Sequence, residues 1–352
     1  MRKHYLDNVR YSIVLLVIFY HVIYILNSVG VIRNVTIQGI GQMDVFLYII
    51  YPWFMVCLFA VAGMSARFAL EKQGDGQFLK ARLKRILLPS VAGIFLLGWV
   101  CGWVTDQYVD MFGEMGAELP GAVRYLIYCI SGIGPLWFAH ELMLASLVLV
   151  LIRKADRQDK LGTLGGRTGT GVLFLLVFAV WGSAQILNTP LMEIYRNGIY
   201  IFMFLVGYYV FSHERVQELL KKWAVVFLGI AAVAGIVYTA YYWGKNYSEM
   251  RYLKSFLTNF YAWFGTLAVL GCGKRYWDRE TKFTRYMRRN GFAFYVLHYP
   301  LLAVLAYVFD RLLNPPAFAM YLLLLLGEII GLPVLTALIK KIPVVRTLLL
   351  GE

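Results

Sequence analysis

Apolar runs of about twenty residues, set between clusters of charge, decide what this chain of 352 residues can become, because that length wound as a helix matches the hydrocarbon core of a bilayer. The runs lie near residues 12–31, 45–66, 87–105, 134–152, 171–187, 197–212, 223–243, 252–272, 291–309 and 317–339. Stretches such as Val172–Val180 and Tyr321–Leu326 are continuously apolar, which excludes the alternating strands of a membrane barrel. With 60% apolar and 15% charged residues, the composition also lies outside that of a soluble domain. The chain is therefore expected to be an all-α polytopic membrane protein of ten transmembrane helices. It reads as a single transmembrane domain over residues 1–352, with no appended soluble domain. Ala122–Ile133 is apolar but short, and reads as interfacial or re-entrant.

Orientation follows from Lys and Arg, which concentrate in cytoplasmic loops. With the N-terminus inside, the inner segments hold 27 of the 34 basic residues and the outer loops the other 7. Both termini are then cytoplasmic. The net charge of +14 is topological: it anchors inner loops against anionic lipid, and no nucleic-acid partner is expected. The first apolar run is too long for the core of a signal peptide, and no small-residue cleavage site follows it, so it reads as an uncleaved helix.

Several local motifs carry little. The four cysteines (Cys57, Cys101, Cys129, Cys272) lack metal-ligand spacing, and no metal is expected. Asn34-Val-Thr36 and Asn246-Tyr-Ser248 match the glycosylation sequon in outer loops, a pattern that arises often by chance. The glycine-rich inner loop Gly162–Gly171 lacks a P-loop lysine and follows a helix, which favours a flexible linker over a phosphate cradle.

Ionisable groups inside hydrocarbon are costly, so they face a cavity or a partner. Here they are His21, His140, Glu141, His298 and Glu328. His21 falls near the midpoint of the first span and Glu328 near that of the last. A histidine and a carboxylate at similar depth suit general-base chemistry, because the acid orients the imidazole and stabilises its cation. A neutral imidazole hydrogen-bonded across helices is the other reading of His21. Arg10 lies eleven residues before it, so the two share a helix face about 16 Å apart along the axis. The pantetheine arm of coenzyme A has about that reach, although an arginine snorkelling at a helix end is commonplace. His298 abuts Pro300 and reads as structural.

The segment YLDNVRYSIVLLVIFYH, with Arg10 and His21 as R-x10-H, resembles the opening of the acyltransferase-3 family of membrane O-acyltransferases. FAVAGMSARFAL (59–70) is similar to the end of that family's second helix, and FLKARLKRILLP (78–89) to its basic inner loop. GPLWFAHEL (134–142) and NGFAFYVLHYPLL (290–302) resemble its tryptophan-bearing and late histidine segments. The likeness runs over most of the chain.

The resemblance implies transfer of an acyl group, acetyl in the simplest case, from cytoplasmic acyl-CoA to a hydroxyl of an envelope carbohydrate or glycolipid. It implies a multi-pass protein of the bacterial plasma membrane. His21 takes the place of the family's essential histidine; on physical grounds, not by the resemblance, Glu328 or Glu141 is expected to hold the imidazole. Arg10, Arg82 and Arg85 take its donor-binding positions, joined by Arg67 at the inner end of the second span. Direct transfer and an acyl-His21 intermediate both remain open. The competing reading is a proton-coupled transporter or flippase for an anionic or lipid-linked sugar substrate, with the midplane His and Glu as a proton relay.

Overall fold

A helix satisfies its own backbone hydrogen bonds, which is why the apolar runs take that form. The computed structural model describes residues 3–114, 118–189 and 195–352. In chain order, α1 spans His4–Tyr24, and α2 spans Val45–Leu70 after a tight 3-10 turn at Gly41–Asp44. α3 runs Asp75–Val109 and contains two π-helical turns, Leu83–Leu87 and Ile94–Gly98. α4 (Gly121–Ser131), α5 (Gly134–Ala155), α6 (Lys160–Gly166) and α7 (Thr170–Ser183) follow. Next come α8 (Asn197–Phe211), α9 (Glu214–Lys222), α10 (Ala224–Tyr242) and α11 (Phe256–Tyr276). The last are α12 (Lys282–Leu313), α13 (Ala317–Lys340) and α14 (Pro343–Leu350).

Eight of these (α1, α2, α3, α5, α10, α11, α12 and α13) are long and apolar enough to cross a membrane. α7 and α8, at the fifth and sixth expected positions, are apolar but shorter. α7 stops early because polar side chains turn back onto its last carbonyls. Gln185 Nε2 donates to Trp181 O at 2.9 Å, and Asn188 Nδ2 to Ala184 O at 3.0 Å. α4 has 11 residues, a rise of about 16 Å that cannot cross the hydrocarbon core. The expected outer segment 106–133 includes residues 115–117, which lie outside the described residues.

Two sequence expectations are corrected. The first span is α1 at His4–Tyr24 and not 12–31, because Asn27 ends the helix. Its Nδ2 donates to Tyr24 O at 2.9 Å and Val31 O at 3.0 Å, while Oδ1 accepts from the Val31 N–H at 3.1 Å. His21 therefore stands in the last turn of its helix, not at the midpoint. Second, Gly162–Gly171 is not an unstructured linker. Its first part is α6, where a Cβ on Gly165 would stand 1.9 Å from Tyr209 O. The glycines there serve a close helix approach.

The chain divides into two compact units, 1–13 with 48–82 and 141–288, and 14–47 with 83–140 and 289–352. In the first, α2 and α8 cross through small residues: a Cβ on Gly63 would lie 1.9 Å from Phe204 O, and one on Gly207 2.0 Å from Ala60 O. α11 is the centre of this unit, packed by α7, α9 and α10, with Trp263 fully buried and donating from Nε1 to Leu173 O at 2.9 Å. In the second unit, α4 lies close on α3, where a Cβ on Gly132 would stand 1.9 Å from Gly98 O. α12 and α13 are set in register by Gly327 against Leu305 and Gly331 against Leu301.

Candidate active site

Within the second unit, α1 and α12 bring two imidazoles together. His298 Nε2 lies 3.3 Å from His21 Nδ1, with ring centroids 5.0 Å apart. The backbone fixes both tautomers, since a carbonyl oxygen only accepts. His298 Nδ1 faces Tyr295 O at 2.8 Å and Phe294 O at 3.2 Å, so Nδ1 carries that ring's proton. His21 Nδ1 faces Val17 O at 2.8 Å, so it too is the protonated nitrogen. In neutral His21, Nε2 is then the bare nitrogen, the form that a general base needs.

Tyr299 forms a second wall, its ring edge-on to His21 at 5.0 Å. Gly134 at the start of α5 has φ +47, and a Cβ there would stand 2.9 Å from Tyr299 Cδ1, so a side chain would push the ring out of place. The Tyr299 hydroxyl donates to Asn34 Oδ1 at 2.5 Å, and Asn34 Nδ2 donates to Thr105 Oγ1 at 2.6 Å. The sequon asparagine is thus engaged at both ends of its amide and holds the loop after α1 against the site. Sequence reading missed His298 and Tyr299 as neighbours of His21, and Asn34 as the partner of Tyr299. One signal existed: His21 and His298 fall near the middle of two predicted spans that run in the same direction.

Among the described residues, neither expected carboxylate is a hydrogen-bond partner of His21, which bonds to Val17 O and His298. Glu328 is fully buried in α13, and neither of its oxygens has a hydrogen-bond partner among the described residues. The α12–α13 register puts it opposite residue 304, about 9 Å along the axis from the level of His298. Glu141 belongs to the first unit, where the Asn197 amide, turned with its nitrogen toward the carboxylate, donates to Oε2 at 2.9 Å. His140, beside it in sequence, is part-buried.

The arginines divide by what already occupies them. Arg10 donates to Ser65 Oγ at 2.5 Å and to Asp7 Oδ1 at 3.3 Å. Arg82 lies within electrostatic range of Arg10, with its guanidinium 5.0 Å from the centre of the Phe78 ring. Among the described residues Arg82 has no hydrogen-bond or ion-pair partner, so two like charges stand together with one fork open. That pairing fits a phosphate. Arg67 differs, because Asp159 holds it with two hydrogen bonds. Arg85 is exposed on the first π-helical turn of α3. Gly351, after α14, passes so close that a Cβ on it would lie 2.8 Å from the Arg85 Cα.

A family model described as an acyltransferase domain matches residues 3–337. No curated protein and no solved structure matches the chain. The matched region takes in both histidines, all four arginines and every helix from α1 to within a turn of the end of α13. The chain belongs to the acyltransferase-3 family, and is a multi-pass membrane acyltransferase.

Proposed function

We propose that the protein transfers an acyl group, acetyl in the simplest case, from cytoplasmic acyl-CoA to a hydroxyl of a cell-envelope carbohydrate or glycolipid, with His21 as general base. The observation that carries this reading is the engagement of His21 Nδ1 by Val17 O and His298, which leaves Nε2 bare. Nε2 takes the proton of the acceptor hydroxyl as its oxygen attacks the thioester carbonyl. Collapse of the tetrahedral intermediate expels the CoA sulfur, which takes the proton from Nε2, so an ester and free CoA leave and His21 is restored.

The donor assignment is supported by Arg10 and Arg82, whose adjacent positive charges suit the phosphates of CoA, and by Arg85 three positions further along α3. Arg10 and His21 share one continuous helix, about 16 Å apart along its axis, a span that the pantetheine arm can cover. A cytoplasmic N-terminus, as the basic loops favour, puts Arg10 on the side that holds acyl-CoA.

The test is release of CoA thiol from acetyl-CoA by purified protein reconstituted with an envelope glycan extract. His21→Ala and His21→Gln are both expected to abolish turnover while retaining acetyl-CoA binding, since an amide cannot accept the proton. An active His21→Gln enzyme would falsify the assignment. A second reading, the proton-coupled transporter, draws on Glu328, whose buried carboxyl has no hydrogen-bond partner among the described residues and suits a proton relay. Glu328→Gln separates the two: a relay loses proton uptake into liposomes, whereas acyl transfer at His21 survives the change.

A further inference from the structure

We propose that His298 is the positioning residue of His21, taking the place that a carboxylate occupies in a hydroxyl–imidazole–acid triad; the inference rests on the reading of His21 as the base. The geometry runs in one direction. Tyr295 O and Phe294 O hold the proton of His298 on Nδ1, which leaves its Nε2 lone pair to face His21. Val17 O holds the proton of His21 on Nδ1, and that same N–H lies 3.3 Å from His298 Nε2. The His21 N–H is therefore shared between a backbone carbonyl of its own helix and an imidazole of α12. The carbonyl can hold that proton on Nδ1 only while the ring keeps its rotation, and His298 fixes the rotation from the side, so the tautomer depends on both.

Two further features support a device rather than a chance contact. His298 is fully buried and both of its nitrogens are used, so its ring cannot turn without losing bonds. The next residue, Tyr299, is pinned by Gly134 and Asn34, and Tyr295, one turn earlier, donates its hydroxyl to Pro135 O. The segment of α12 that presents His298 is thus tied on both sides. An imidazole also suits this setting better than an acid would. A neutral pair needs no buried ion in the resting enzyme, whereas a carboxylate beside a neutral imidazole in low dielectric carries a desolvation cost. The consequence is that His298 orients the base without compensating the charge that forms on it. Its removal lowers kcat and leaves the KM for acetyl-CoA unchanged.

Two substitutions isolate that contact. In His298→Asn the amide nitrogen keeps the bond to the Tyr295 carbonyl, but the side chain is too short to reach His21. In His298→Gln the amide oxygen reaches the position of Nε2 and accepts the His21 N–H. Each is made in protein labelled with nitrogen-15 histidine, whose five histidines are few enough to assign by substitution. The wild type and the Gln variant should show His21 as the Nδ1–H tautomer, and the Asn variant a mixture of tautomers. The Asn variant should lose about 100-fold in kcat, a typical share for a misplaced general base, and the Gln variant less than about tenfold. The proposal is overturned by a His298→Asn enzyme with wild-type kcat, or by a His21 tautomer that is unchanged in that variant. It is also overturned if Gln and Asn lose activity equally. The tautomer measurement needs no turnover. Failure of the catalytic reading, seen as an active His21→Gln enzyme, is therefore distinguishable from failure of the positioning role.

Discussion

Asp159 closes the fork of Arg67 with two parallel hydrogen bonds, Nη1 to Oδ1 at 3.0 Å and Nη2 to Oδ2 at 2.6 Å. The guanidinium also lies 5.2 Å from the centre of the Tyr208 ring. Arg67 holds the Asp159 carboxyl below the usual carboxylate range, chiefly through these bonds. An arginine so occupied ties the end of α2 to the residue that opens α6, and its fork is already filled.

Arg67→Ala and Asp159→Ala should therefore each lower the melting temperature and leave acetyl-CoA affinity unchanged. The pair is half-exposed, so a double-mutant cycle should give a coupling of about 1 kcal/mol. A drop in acetyl-CoA affinity in Arg67→Ala, with no change in melting temperature, would restore Arg67 to the donor site.

Arg82 and Arg10 should behave in the opposite way. Arg82→Ala and Arg10→Ala should each weaken acetyl-CoA binding about tenfold, the size of one charge-assisted hydrogen bond. Arg82→Ala should not destabilise the fold, because it relieves repulsion from Arg10 and breaks no ion pair among the described residues. Arg82→Lys should recover part of the affinity, since it keeps the charge and loses the fork. Titration calorimetry with acetyl-CoA reads all three, and wild-type affinity in Arg82→Ala would remove it from the donor site.

Glu214 predicts a pH dependence. Its carboxyl accepts from Lys274 at 2.8 Å and from Lys3, and these bonds push its pKa down from 4.5 to about 2. A carboxyl with a depressed folded pKa stabilises fully above its unfolded value and loses that contribution as pH falls through the folded one. The melting temperature of the wild type should exceed that of Glu214→Gln at neutral pH. The gap should close as pH falls from 4.5 to about 2. A gap independent of pH would show that the two lysines do not hold the carboxylate.

Orientation can be read by thiol labelling. Single cysteines replacing Lys282 and Glu118 should differ in intact cells: the first should resist a membrane-impermeant reagent and the second should react. Three native cysteines are buried, so the background is low. Labelling at 282 from outside would invert the topology and separate Arg10 from the cytoplasmic donor.

Much of the fold was legible because its strongest constraint is one-dimensional. Apolar length shows where helices lie, and eight long and two shorter apolar helices occupy the ten expected positions. The errors came where a single residue overrode hydropathy or composition. Asn27 ends α1 at Tyr24 although Ile25 and Leu26 continue the apolar run, which moves His21 to the last turn. Gly165 reads as linker composition, yet it serves a helix contact with the Tyr209 carbonyl that composition cannot reveal.

For the site, the residue types and their helices were in the sequence: a histidine and an arginine eleven positions apart on α1, a second histidine on α12, a basic segment opening α3. Local spacing along one helix determines these, whatever packs against it. Which side chain meets His21 was decided only in three dimensions. Glu328 and His298 both fall near the middle of apolar spans, and hydropathy cannot rank them. The choice depends on the register of α13 on α12, set by Gly327 and Gly331 against Leu305 and Leu301, and on the rotation of α12, set where Gly134 admits the Tyr299 ring. A rise of 1.5 Å per residue turns a shift of six positions into about 9 Å, which is the distance between a partner and a bystander.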